Sequence, residues 1–80
     1  VKKKFRVLVM FKDGVLEPQG LTVMQVLHTM GYKEIEEVRQ GKFFDIVVEG
    51  NDRVEEKISE IAKKVLANPI IERFEIIEIK

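Results

Sequence analysis

Apolar and polar residues alternate at the start of the chain. Within Lys4–Lys12, Phe5, Val7, Val9 and Phe11 fall on one face, and Leu8 and Met10 fall on the other with Arg6 and Lys12. That period of two predicts a strand. Asp13-Gly14 stops it, and Glu17-Pro18-Gln19-Gly20 reads as a turn leading into a helix. From Leu21 to Met30 the apolar positions Val23, Met24, Leu27 and Met30 recur at helical spacing. Gly31 then supplies the C-terminal cap, since glycine enters the left-handed region without a Cβ penalty.

The pattern repeats in the second half. A short, charged strand is predicted over Ile35–Arg39, a turn at Gln40-Gly41, and a stronger strand over Lys42–Glu49. In that strand Phe44, Ile46 and Val48 face one way, while Phe43, Asp45 and Val47 face the other. Gly50-Asn51 breaks it, and Asp52 followed by Glu55 reads as a capping box opening a second helix. Val54, Ile58, Ile61, Ala62, Val65 and Leu66 form the apolar stripe of that helix. Asn68-Pro69 ends it, because the residue before a proline is pushed out of the helical region. Glu72–Lys80 is a final, isoleucine-rich strand.

The order β-α-β-β-α-β, with no linker or internal repeat, describes a single domain over residues 1–80. Right-handed crossovers turn that order into an α+β two-layer sandwich of ferredoxin-like type. Its four-stranded antiparallel sheet carries both helices on one face, with the first and third strands central and the second and fourth at the edges. The other face should then alternate to polar residues, but Leu8, Met10, Phe43 and Val47 lie there, joined by Ile77 and Ile79. Such a patch marks a partner, and these six residues are the expected contact with another copy of the chain.

Composition narrows the possibilities. Eighty residues leave no room for a second domain, and 14 Lys+Arg against 14 Asp+Glu give a net charge of zero. That balance argues against nucleic acid or an anionic membrane as the main partner. Cysteine is absent, which excludes disulfides, Cys-based metal sites and thiol catalysis. The longest uncharged run, Pro18–Tyr32, is shorter than a membrane span. Charges recur from Lys2 onward, so the opening residues do not read as a signal segment, and a cytoplasmic location is expected. A domain this small, with neither disulfide nor metal to staple it, commonly gains stability by association.

No catalytic constellation, cofactor site or metal site is expected. His28 is the only histidine and has no second histidine or cysteine to share a metal. Glu34, Glu36 and Glu37 read as a solvated edge whose like charges resist edge-to-edge aggregation. Thr22, Thr29 and Ser59 have no base nearby in sequence. The glycines Gly14, Gly20, Gly31, Gly41 and Gly50 sit at element boundaries and make no phosphate-binding fingerprint. The helix end near Gly20-Leu21, with Lys12 before it, is the best anion-binding hint, but every helix has such an end. Gly41-Lys42-Phe43-Phe44 has a faint likeness to an RNA-recognition strand, yet its two aromatic residues point to opposite faces. Lys4, Arg6, Lys33, Arg39 and Lys42 read as compensated surface charge.

Four strings are more specific. Asp13-Gly14-Val15-Leu16-Glu17-Pro18-Gln19-Gly20, Leu27-His28-Thr29-Met30-Gly31-Tyr32, Val38-Arg39-Gln40-Gly41-Lys42 and Leu66-Ala67-Asn68-Pro69-Ile70-Ile71-Glu72 resemble the PurS family, in order and along the whole chain. The family often has Asp where this chain has Glu17, which keeps the charge. The resemblance implies the small subunit of phosphoribosylformylglycinamidine synthase in purine biosynthesis. It implies a dimer or tetramer of the β-α-β-β-α-β unit that assembles with a large synthetase subunit and a glutaminase subunit. The complex uses ATP, magnesium and glutamine, and the small subunit holds its partners together and helps ammonia pass between them. Pro18, Gly20, Gly41, Asn68 and Pro69 are then expected to shape loops. Arg39, Gln40 and Lys42 are candidates for contact with a larger subunit, with plain solvated turn residues as the other reading. A different class of function is a stand-alone regulatory domain that binds a small ligand between protomers near Gly14–Gly20.

Overall fold

The computed structural model describes residues 2–50 and 52–79. Strand β1 (Lys2–Phe11) leads to helix α1 (Pro18–Thr29), strand β2 (Lys42–Glu49), helix α2 (Val54–Ile61) and strand β3 (Glu72–Ile79). Helix α2 continues into a π-helical turn over Ala62–Leu66, closed by the Ala67 N–H donating to the Ala62 carbonyl at 2.9 Å. Asn51 and Lys80, expected at a strand break and a strand end, lie outside the described residues.

The sheet is antiparallel, in the order β2-β1-β3. Val7 pairs with Phe44 on one side and Ile76 on the other, so the alternating apolar set of all three strands falls on one face. Helix α2 covers that face. Phe5, Val7 and Val9 are sealed beneath Val54, Ile58 and Ala62, with Phe44, Ile46, Val48, Leu66, Phe74 and Ile76 packed around them. Fully burying a side chain of this size is worth about 1.5–3 kcal/mol, so these few residues carry most of the chain's own stability.

The expected fourth strand over Ile35–Arg39 does not form in the single chain; residues 35–41 have no regular structure. Its residues are engaged elsewhere. The Arg39 guanidinium reaches Asp13 and the Phe11 carbonyl, and the Gln40 N–H donates to Glu17. The strand expected to be third is therefore an edge, and β1 alone is central.

Helix α1 also departs from the two-layer expectation. No residue of α1 belongs to the core or packs on it, and Gly20 is its only buried residue. The radius of gyration is 16.2 Å and the longest dimension 51 Å; a compact chain of this length would have a radius of gyration of about 12 Å. Residues 13–41 form an arm that carries α1 away from the sheet.

Two local expectations are corrected. Pro18, Gln19 and Gly20 are the first turn of α1 and not a turn before it, with Pro18 at the start of the helix and Glu17 as its N-cap. Proline suits that position because its missing N–H is one the helix leaves unpaired anyway. The capping box at Asp52 is not made either. The N-cap is Arg53, left-handed at φ 56° and without a side-chain cap bond, which puts Asp52 one residue too early.

Candidate functional site

The open face of the sheet is built by the even-numbered residues of β1 and their neighbours. Leu8 lies opposite Phe43, Lys4 lies between Val47 and Ile79, Arg6 between Asp45 and Ile77, and Met10 opposite Arg73. All six residues expected to form a contact therefore share this face. Phe43 and Val47 are the most exposed, at 56% and 63%.

A polar cluster that hydropathy alone did not pair divides the patch. Arg6 Nε and Nη2 donate to the two oxygens of Asp45 at 2.8 and 3.1 Å, and its guanidinium lies 4.5 Å from the centre of the Phe43 ring. Lys4 adds a looser contact at 3.9 Å. The hydrogen bond from Arg6 holds the Asp45 carboxyl below the usual aspartate range and raises the guanidinium in turn. The fork geometry fixes both side chains, so the face offers apolar corners around an oriented ion pair.

The second surface is the arm. Leu16, Val26, Met30 and Tyr32 are about half to three-quarters exposed, from 49% to 76%. The helix is nonetheless well formed locally. Glu17 caps the Gly20 N–H at 3.1 Å, and the C-terminus closes as a Schellman motif, with Tyr32 N–H bonded to the Leu27 carbonyl and Gly31 N–H to that of His28. Gly31, at φ 103°, is the residue that allows it. His28 spends its Nε2 on the Ile35 carbonyl at 2.7 Å, tying the helix to the returning segment. On the main body, Ile61 and Val65 of the second helical segment are also exposed, at 39% and 74%.

The base of the arm holds the turn residues singled out in sequence. Arg39 Nη1 donates to Asp13 and its Nη2 to the Phe11 carbonyl, both at 2.6 Å. Gln40 N–H donates to Glu17 at 2.5 Å, and its side chain reaches Gln19 at 3.3 Å. The bond from Arg39 lowers the Asp13 carboxyl below its ordinary value. A Cβ on Gly20 would run into the Val38 carbonyl oxygen, and one on Gly41 would sit 2.6 Å from that of Val9. Gly20 and Gly41 thus serve close backbone approach. Lys42 lines a cleft of about 330 Å³ with Val9, Phe11, Gln19, Gln40, Gly41 and Glu72. Asn68 and Pro69 stand apart at the far end of the second helix, where Asn68 Oδ1 accepts from the Ile70 N–H at 3.0 Å. The bridging roles of Glu17 and Asp13 had no signal in sequence, since their partners lie more than twenty residues away.

Among the described residues no group of three or more His, Asp or Glu side chains could hold a metal ion, and no helix is long and apolar enough to cross a membrane. Thr22 and Thr29 donate to carbonyls one turn back in their own helix.

The family model described as "PurS: Phosphoribosylformylglycinamidine (FGAM) synthase" matches residues 4–79. The phosphoribosylformylglycinamidine synthase subunit PurS of Methanocaldococcus jannaschii is 40% identical over 75 residues, covering 91% of this chain and 90% of that protein. Among solved structures, PurS of Bacillus subtilis superposes with a TM-score of 0.88 at 37% identity, covering 98% of this chain and 99% of that one. A chain in the structure of PurLQS from Thermotoga maritima gives a TM-score of 0.88 at 26% identity, covering 99% of both. Sequence and fold therefore agree, and the chain belongs to the PurS family.

Proposed function

We propose that the chain is the small, non-catalytic subunit that joins the glutaminase and ATP-dependent synthetase subunits of phosphoribosylformylglycinamidine synthase and helps ammonia pass between them. As a member of this family it is a subunit of a glutamine-dependent, ATP-using ligase of purine biosynthesis. ATP, magnesium and glutamine belong to the assembled complex, which works in the cytoplasm. The observation that carries the assembly role is the arm, a well-capped helix that packs on no part of the core and leaves Val26 and Met30 exposed.

Self-association follows from the same observation. The arm of one chain completes a second copy, with α1 covering the exposed Ile61 and Val65 and residues 35–39 adding to the free edge of β2. The four-stranded, ferredoxin-like arrangement then forms between chains. Leu8, Met10, Phe43, Val47, Ile77 and Ile79 remain as a second contact that builds a dimer into a tetramer. Of the three turn residues, Arg39 and Gln40 are held by hydrogen bonds within the chain, and Lys42, which lines the cleft with its ammonium 5.7 Å from the centre of the Phe44 ring, is the contact candidate for a larger subunit.

The test is synthase activity from purified large and glutaminase subunits, with and without this chain. Glutamine-dependent product that appears only on its addition supports the assembly role. Equal activity without it, and no complex even with glutamine, nucleotide and magnesium, would sink that role and favour the ligand-binding alternative. For the open face, Met10→Lys should lower the native mass while the fold persists. An unchanged mass would place the contact elsewhere.

A further inference from the structure

We propose that Glu17, Arg39 and Gln40 form a lock at the base of the arm, and that this lock decides whether α1 is held out for a second copy or closes over its own sheet. The proposal rests on the arm-exchange reading above. The outgoing segment (residues 13–20) and the returning one (residues 38–41) meet only here, and the contacts are of two kinds. The bond from Glu17 to Gly20 N–H is local to α1 and persists whichever way the helix points. The other bonds span the two segments and set the angle between them. These are Gln40 N–H to Glu17, the Gln40 side chain to Gln19, and Arg39 to Asp13, with Arg39 also reaching the Phe11 carbonyl at the end of β1. All but the bond between the two glutamines involve an ionised group, and such hydrogen bonds are roughly twice as strong as neutral ones.

Backbone contact stiffens the same point. Gly20 lies against the Val38 carbonyl so closely that no side chain fits between them. Beyond the base the arm is tied to itself, by the Schellman motif and by His28 to Ile35. It therefore moves as a lever. A helix of 12 residues is about 18 Å long, so a modest rotation at the base displaces the tip at Met30 by several ångströms. Exchange of a helix between copies is governed by such a hinge: a loosened base lets α1 fold back onto its own body, and the intrachain form competes with the dimer.

Because the chain has no cysteine, spin labels can be placed cleanly. One chain carries Met30→Cys at the arm tip and another carries Lys57→Cys on the flank of α2. Interchain distances are measured in their mixture, and intrachain distances in a doubly substituted chain diluted into unlabelled protein, alongside native mass across a dilution series. The expected result is a short interchain distance in the parent. In Arg39→Met the short distance moves into the single chain and the dimer weakens at least tenfold, with partial recovery in Arg39→Lys, which keeps one charged donor. Parental affinity and interchain distance in Arg39→Met would overturn the lock while leaving the exchange intact. A short intrachain distance in the parent, or a parent that stays monomeric, would overturn the exchange and the lock with it. Loss of folding in both variants, read from amide dispersion of the sheet, would make the base part of the folding core and would overturn the lock alone.

Discussion

The sheet with α2 and the arm with α1 both repeat apolar residues at regular spacing, more sharply segregated in α2, but treat them differently. On the sheet, Phe5, Val7, Val9, Ile58 and Ala62 are at most 1% exposed. On the arm, Val26 and Met30 are 53% and 66% exposed although they repeat at the same helical spacing. The two helices also begin differently. The exposed one is capped at both ends and starts on a proline. The buried one starts on a left-handed arginine with no side-chain cap. Tertiary burial can hold a poorly started helix, whereas a helix without tertiary partners depends on its ends. Isolated helices of about 12 residues are marginal in water, so the arm's order must come from its caps and from whatever covers its apolar side.

The largest effect should come from making one kind of change in both regions. Ile58→Ala removes a side chain from the sealed core and should cost about 2–5 kcal/mol in urea unfolding. Val26→Ala, on the exposed side of α1, should cost about 0.5 kcal/mol or less in the dilute chain. If α1 packs on a second copy, the cost of Val26→Ala grows with protein concentration while that of Ile58→Ala changes little. Equal costs at high dilution would show that the arm packs within its own chain.

This contrast explains what could be read from the sequence. Periodicity located both helices and the strands around Phe5, Phe44 and Ile76, because each repeats its apolar residues at its own period. It could not say whether the apolar side of a helix is covered within the chain, so α1 was expected on its own sheet. The strand over Ile35–Arg39 failed for a related reason. Apolar Ile35 and Val38 fit an edge strand, but Arg39 and Gln40 are drawn to Asp13 and Glu17, over sequence distances to which no local pattern is sensitive. The open-face residues were legible as a group from the strand period alone. The ion pair between Arg6 and Asp45 within them needed the register.

The base of the arm supplies the next test. Gly20→Ala brings a Cβ against the Val38 carbonyl, a backbone atom that cannot move aside cheaply. A cost of about 1–3 kcal/mol is expected from such overpacking. Gly14, at φ 85° but with nothing near its Cβ position, should lose only its conformational advantage on the same change, about 1 kcal/mol. Thermal unfolding of the two variants checks the order, and a milder effect at Gly20 would mean that the two segments are not held in contact.

Acid should act on both regions, and the direction can be worked out. The hydrogen bonds from Arg6 and Arg39 lower the carboxyls of Asp45 and Asp13 in the folded chain. A carboxyl depressed on folding contributes stability that is present above its unfolded value and lost as pH falls through the folded one. Below about pH 4, where free aspartate begins to protonate, melting temperature should therefore fall. Asp45→Asn should flatten part of that slope through the sheet, and Asp13→Asn through the arm. A slope unchanged by both substitutions would assign the acid response to other carboxylates.

The smallest effect concerns the start of α2. A left-handed conformation costs a residue with a Cβ about 1–2 kcal/mol, and Arg53 adopts it with no side-chain bond in return. Glycine enters that region freely and is an acceptable N-cap, but it also raises the entropy of the unfolded chain. The two terms partly cancel, so Arg53→Gly should stabilise the chain by about 0.5 kcal/mol in urea unfolding. The Lys57 N–H, which donates to the Arg53 carbonyl at 3.1 Å, should keep that bond and its slow amide exchange. The corresponding change in the arm, Glu17→Gly, deletes a carboxylate with two N–H partners and should destabilise it. Opposite signs at the two helix starts would confirm that packing tolerates what an unpartnered helix cannot.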